Sequence, residues 1–234
     1  GVPLDRPDFT GANLSHANLG LATVIAGDLT DADLSSADLT GVVIDSSVMG
    51  GADLSGAVLG GGCYIGGVVG SPVLPPDYVL RSHFVFGPHV QIPNADLPGI
   101  DLAGIDLTGS QLQGDRLTGS DLTGAELTGA VLVGADLSGS TMTAAVLGAT
   151  DLYGADLWGV RSGGITGTPL VLPDQWELID GTLTSNTGFL RVATSPAVPS
   201  QISVDGHIAD TWGLSWLPEP VGTHVVCFTA VPGF

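Results

Sequence analysis

Every fifth residue of this chain is apolar over two long runs, and that spacing constrains the fold more than any other feature. The first run holds Leu4, Phe9, Leu14, Leu19, Val24, Leu29, Leu34, Leu39, Ile44, Met49, Leu54, Leu59 and Tyr64. The register then breaks, and a second run goes from Ile92 and Leu97 through Met142 to Leu157. Since 44% of the 234 residues are apolar, the 27 consecutive hits have a chance probability of roughly 10⁻¹⁰ in a given register. Gly and Asp recur every few residues and 15 prolines are spread along the chain, which rules against helix. The apolar content rules against disorder. An all-β chain remains.

The residue two before each hit is usually small (Ala12, Ala17, Ala32, Ala52, Ala125, Ala135), and the one just before it is usually Asp or Asn. Segments such as Gly51-Ala52-Asp53-Leu54-Ser55 and Gly134-Ala135-Asp136-Leu137-Ser138 resemble the pentapeptide-repeat family. The resemblance implies a right-handed quadrilateral β-solenoid with four pentapeptides per coil and both apolar positions pointing inward. Irregular positions support a 20-residue coil independently. Thr23, Val43 and Cys63 replace the acidic position in one column, beside Val24, Ile44 and Tyr64, while Phe9, Leu29 and Met49 make another. The register assigns Leu14, Leu34, Leu54, Leu102, Leu117, Leu122, Leu137 and Met142 to the core. It makes Cys63 an outward residue and predicts about seven coils, roughly 30 Å at ~4.8 Å per coil.

Two interruptions share a motif: Gly70-Ser71-Pro72-Val73-Leu74-Pro75-Pro76-Asp77-Tyr78 matches Gly167-Thr168-Pro169-Leu170-Val171-Leu172-Pro173-Asp174-Gln175-Trp176 with one residue of slack. Each predicts a hairpin, the second at Trp176–Ile179 and Thr182–Thr184 around an Asp180-Gly181 type I′ turn. The expected organisation is a first solenoid block (1–64), a hairpin insert (65–91), a second block (92–162), a hairpin insert or cap (163–194) and a β-sandwich-like module, incomplete as it stands (195–234). Ser195–Ser200 reads as a linker. The Val204-Asp205-Gly206 and Pro220-Val221-Gly222-Thr223-His224 segments resemble PEGA-like surface modules.

Charge narrows the function. The formal net charge is −19, and the five basic residues, Arg6, Arg81, Arg116, Arg161 and Arg191, leave no lysine. Five scattered arginines cannot neutralise a phosphate backbone, so no nucleic-acid partner is expected. No apolar run reaches the ~18–20 residues of a spanning helix, so no membrane insertion is expected. No phosphate-binding, dinucleotide-binding or Cys-x-x-Cys motif is present, and no cofactor is expected. His224 and Cys227 fall on opposite faces of a strand, which argues against a metal pair. A Cys63–Cys227 disulfide stays open. The absence of an initiator Met and of a signal peptide reads Gly1 as a processed or cloned start, and the surface-module resemblance with the absence of lysine favours an extracellular or cell-surface location.

At a 20-residue period Asp101 stacks on Asp121 and Asp106 on Glu126. Like charges one strand apart repel, which is expected to raise their pKa values or recruit weakly bound divalent cations such as Ca²⁺; a solvated face is the plainer alternative. Arg116 falls between Asp96 and Asp136 and neutralises that column. Asp115 occupies an inward small slot and needs a local hydrogen bond or pairing with Arg116, because a bare buried carboxylate is too costly.

The preferred reading is a non-catalytic extracellular structural protein, a rigid block that self-assembles head-to-tail or by strand addition into a surface fibre or sheath. It follows from end coils that expose an apolar cross-section and unpaired strand edges; a piece of a longer repeat protein is the alternative to self-capping. The family resemblance also implies DNA mimicry of the kind that binds gyrase. A third alternative is surface adhesion or carbohydrate binding through Tyr78, Phe84, Phe86 and Trp176.

Overall fold

One pentapeptide is one side of a square coil, and Leu122–Leu127 shows how. The N–H of Ala125 donates to the carbonyl of Leu122 at 3.1 Å, and Gly124 between them has φ +65°. That is a type II turn, whose third residue needs positive φ. After the corner come an inward small residue (Ala125), an outward residue (Glu126) and an inward large one (Leu127). Backbone pairing then links the coils. The N–H of Asp121 donates back to Ile100 at 2.9 Å, and that of Leu122 donates forward to Thr141 at 2.7 Å. The same pattern repeats as parallel bridges such as Asp101↔Asp121↔Thr141↔Arg161.

The structure is a computed structural model. It describes the backbone of residues 3–193, strands at 202–204, 207–210, 214–220 and 226–228, and side chains through residue 186. The fold is an all-β right-handed quadrilateral solenoid. Among the described residues no helix is long and apolar enough to cross a membrane. By internal contacts the chain divides into one unit of Gly1–Asp174 with Leu178–Leu183 and another of Gln175–Glu177 with Thr184–Phe234.

In the first block β1 (Leu4–Asp5), β2 (Thr23–Ile25), β3 (Val43–Asp45) and β4 (Tyr64–Gly66) form a parallel sheet in chain order. This is the column where Thr23 and Val43 replace the acidic residue; β-branched side chains suit a longer extended stretch. The last rung corrects the expected register. Val43 pairs with Tyr64 and Ile44 with Ile65, one residue later than a strict 20-residue period. Gly60, Gly61 and Gly62, all at positive φ, absorb the extra residue at the corner. Cys63 is therefore buried in the small inward slot rather than facing outward. Ile65 takes the core position, and Tyr64 turns out to lie edge-on against Phe84 with ring centroids 6.2 Å apart. An apolar isoleucine fills that slot without burying a phenol hydroxyl.

The ladder continues past residue 64, with Val48↔Val69 and Asp53↔Val73. The chain then leaves as the hairpin of β5 (Val79–Arg81) and β6 (Phe84–Phe86) and rejoins the solenoid where Val90 pairs with Cys63. Both shared motifs begin with a glycine pressed on the coil before it. A Cβ on Gly70 would stand 2.6 Å from the Gly50 nitrogen, and one on Gly167 would stand 2.6 Å from the Gly148 nitrogen. The second motif leads into β7 (Trp176–Ile179) and β8 (Thr182–Ser185), which pair around Asp180 (φ +48°) and Gly181 (φ +74°).

In the second block Leu102, Leu117, Leu122, Leu137 and Met142 are fully buried, as are Leu34 and Leu54 in the first. Leu14, in the terminal coil, is only half-buried. Beyond β8, β9 (Thr187–Ala193) pairs antiparallel with β12 (Leu214–Pro220). β10 (Ile202–Val204) lies between β11 (His207–Asp210) and β13 (Val226–Phe228). The expected 195–200 linker and the side chains of His224 and Cys227 fall outside the described residues.

Leu122 lies between Leu102 and Met142 in one column. Leu122→Asp is expected to prevent folding, since an unpaired charge would sit in that column, whereas Leu122→Ala should lose about 2–5 kcal/mol. Urea unfolding followed by far-UV circular dichroism measures both; a native transition in the Asp variant would refute the inward register.

Candidate functional site

The outward position before each core residue favours Asp or Asn for a local reason. Its side chain accepts the backbone N–H two residues on, bracing the corner in the manner of an Asx turn. Asp8 Oδ1 takes the N–H of Thr10 at 3.0 Å, Asp121 that of Thr123 at 2.9 Å and Asp136 that of Ser138 at 3.0 Å. Asn13 and Asn18 do the same. The Ser35 and Ser138 hydroxyls add a second donor at 2.6 Å to Asp33 and Asp136.

These bonds reverse the expected direction of the pKa shifts. Backbone and side-chain hydrogen bonds from Thr10 hold Asp8 below the usual carboxylate value, and those from Thr30 do so for Asp28 against the weaker repulsion of Asp8. Hydroxyl and amide donors likewise lower Asp33, Asp38, Asp121 and Asp136. Repulsion between exposed charges a strand apart is screened by water, while the donors touch the carboxylate directly.

The cation candidates are occupied in the same way. Asp101 accepts from Ala103, Asp106 from Thr108, and Glu126 from both the amide and the hydroxyl of Thr128. Asp101 and Asp121 pair across one bridge and Asp106 and Glu126 across another. No group of three or more His, Cys, Asp or Glu among the described residues is placed to hold a metal ion. Arg116 pairs with Asp96 at 2.8 Å, both side chains being more than half exposed, a contact of small net value.

Asp115 follows the hydrogen-bond alternative. It is fully buried, its Oδ1 accepts the N–H of Ala95 at 2.8 Å, and its Oδ2 has no partner. Burial pushes its pKa up to about 7, against the pull of the Ala95 and Asn94 amides.

Tyr78, Phe84 and Phe86 of the first insert do not form one open face. Phe86 is fully buried, which removes it from any interaction face. Tyr78 is a staple: its hydroxyl donates to the carbonyls of Leu59 at 2.9 Å and Pro88 at 3.2 Å, and its half-buried phenol is pushed up to about 12 by desolvation. Its ring lies on Gly87, where an added Cβ would come within 2.2 Å. Phe84 packs on Tyr64, and Trp176 is half-buried. The outward aromatics are instead Tyr153 and Trp158, 62% and 60% exposed at consecutive corners of the second block. Val48, Val58, Val69 and Val73 are exposed in the columns that elsewhere carry Asp or Asn. Both sets have a sequence signal, a bulky residue where the repeat places Thr, Ser, Asp or Asn. A crevice of about 220 Å³ lies between Pro76, Asp77 and Val79 of the insert and Gly104, Ile105 and Asp106 of the second block.

Residues 28–61, 94–124 and 120–159 match the family described as "Pentapeptide repeats", in eight copies. No curated protein matches the sequence. Among solved structures the chain is similar to a trypsin-treated form of QnrB1, a plasmid-mediated fluoroquinolone resistance protein. The two are 24% identical over 67% of this chain and 77% of that one, with a TM-score of 0.29. It is also similar to HetL, involved in heterocyst differentiation regulation in the cyanobacterium Nostoc sp. strain PCC 7120 (23% identical, 70% and 84% covered, TM-score 0.27). A protein of the Arabidopsis thaliana thylakoid lumen is 20% identical over 64% of this chain and 68% of that one, with a TM-score of 0.20.

Tyr78→Phe is expected to destabilise the chain by about 1–2 kcal/mol through two carbonyls left without their donor, and Gly87→Ala by about 1–3 kcal/mol through overpacking on the ring. Thermal unfolding measures both. Asp8, Asp28 and Asp121 have folded pKa values held below the ordinary 3.8 by their turn donors. The stability they add is therefore complete above that pH and lost as pH falls through their folded values. Asp121→Asn keeps the turn acceptor and should leave the neutral-pH midpoint nearly unchanged.

Proposed function

The two solenoid blocks belong to the pentapeptide-repeat family, and on that premise we propose that this chain is a non-catalytic structural protein that self-associates. It acts as a rigid β-solenoid block joined to copies of itself end to end or by strand addition, in a fibre or sheath at the cell surface. One observation carries the reading. Val48 and Val69 stack in one column at 39% and 57% exposed, and Val58 and Val73 are exposed in other columns, so an apolar strip runs across coils where Asp or Asn otherwise stands. An exposed apolar strip is the kind of surface that a partner covers, and a heterologous contact between copies of the chain propagates unless it closes. The surface-module pattern of residues 201–226 supports the location.

At micromolar concentration the chain should sediment as species larger than a monomer, and Val48→Asp combined with Val69→Asp, both on the exposed strip, should return it to the monomer without altering its far-UV spectrum. A strictly monomeric wild type overturns the reading. Inhibition of gyrase supercoiling by that monomer would favour DNA mimicry instead.

A further inference from the structure

Only one ionisable side chain of the second block is fully buried, and it stands where the chain re-enters the solenoid after the first hairpin. Ordinary corners close on themselves: Ser110 donates its N–H to Leu107, and Ser120 to Leu117. The re-entry corner, Ile92–Ala95, is held differently. The N–H of Ala95 crosses to the next coil and donates to Asp115 Oδ1 at 2.8 Å, so a side-chain oxygen replaces the corner carbonyl. The second carboxyl oxygen is buried without a partner.

The surroundings supply no countercharge. Asp115 lies between Ala95 and Ala135 in its column, with Leu112 and Leu117 as the core residues before and after it. The charged residues of the adjacent outward column are Asp96, Arg116, Asp136 and Asp156; the first two pair with each other in solvent, the third is held by Ser138 and Thr118, and the fourth by the Trp158 amide. No charge contributes to the perturbation of Asp115, which comes from burial opposed by two amides.

We propose that Asp115 is a pH-sensing pin at this re-entry seam, neutral and tight in mildly acidic medium, ionised and loosened above neutrality. A carboxylic acid still offers Ala95 an acceptor oxygen, whereas a buried carboxylate with one oxygen unpartnered is disfavoured. The folded chain holds this proton up to about pH 7 and the unfolded chain only to 3.8. Between those values the folded state binds more protons, so stability rises as pH falls through the window. Asp8, Asp33 and Asp121, which brace corners, are silent there, their pKa values being lowered by the donors they accept. Wild type and variants share the five histidines, so the signal is the difference between wild type and variants.

The test compares the full-length wild type with Asp115→Asn and Asp115→Ser at about pH 5 and about pH 8.5, following the thermal midpoint and the amide exchange of Ala95. Serine already occupies the equivalent slots at Ser110, Ser120 and Ser140, so the second variant keeps the comparison available should the first not fold. The wild-type midpoint should fall on going to the higher pH by several degrees more than that of either variant. Its Ala95 protection, corrected for intrinsic exchange, should drop about tenfold or more. Equal pH dependence in wild type and variants, or Ala95 protection that ignores pH in the wild type, would overturn the proposal.

Discussion

Reciprocal backbone pairing between coils is the interaction on which the rest of the structure depends. Within a run of coils the outward residue donates its N–H to the coil before it and the core residue donates to the coil after it, as Asp121 and Leu122 do toward Ile100 and Thr141. A backbone group buried without a partner is costly, so every coil must present the same five-residue sides at the same height. The periodic leucines, the small residues two positions earlier and the positive-φ corners all follow from that requirement. Even Leu21, at φ +59°, accepts a left-handed corner because the pairing on either side demands it.

Once the backbone is fixed, the outward positions are left to local chemistry. Asp and Asn prevail there because they brace the corner, and the acidic columns are a by-product of repeating that device, as the lowered pKa values of Asp8, Asp28 and Asp121 reflect. Where valine takes the place, at Val48, Val58, Val69 and Val73, the surface turns apolar while the ladder between coils continues. Surface character can therefore vary along the solenoid without disturbing its frame.

Interruptions obey the same frame. The chain leaves the first block with Gly70 against Gly50 and returns with Val90 on Cys63, and Tyr78 ties Leu59 to Pro88 across the gap. The re-entry corner lacks its own closing bond and borrows one from Asp115, at the expense of a buried carboxylate.

The sequence by itself determined the period and the core columns, because a coil that must close every twenty residues writes its geometry into which positions are apolar, small or acidic. Asp115 was legible for the same reason, as a charge in a slot reserved for small residues. Only the tertiary structure decided the one-residue slip at Gly60–Gly62, which exchanged Cys63 and Ile65 for Tyr64 inside, since three glycines carry no side-chain signal of how many residues a corner holds. It also decided that Tyr78 and Phe86 are structural and that corner hydrogen bonds outweigh repulsion among the aspartates. Those outcomes depend on which donors and carbonyls come within about 3 Å, a distance that spacing along the chain does not contain.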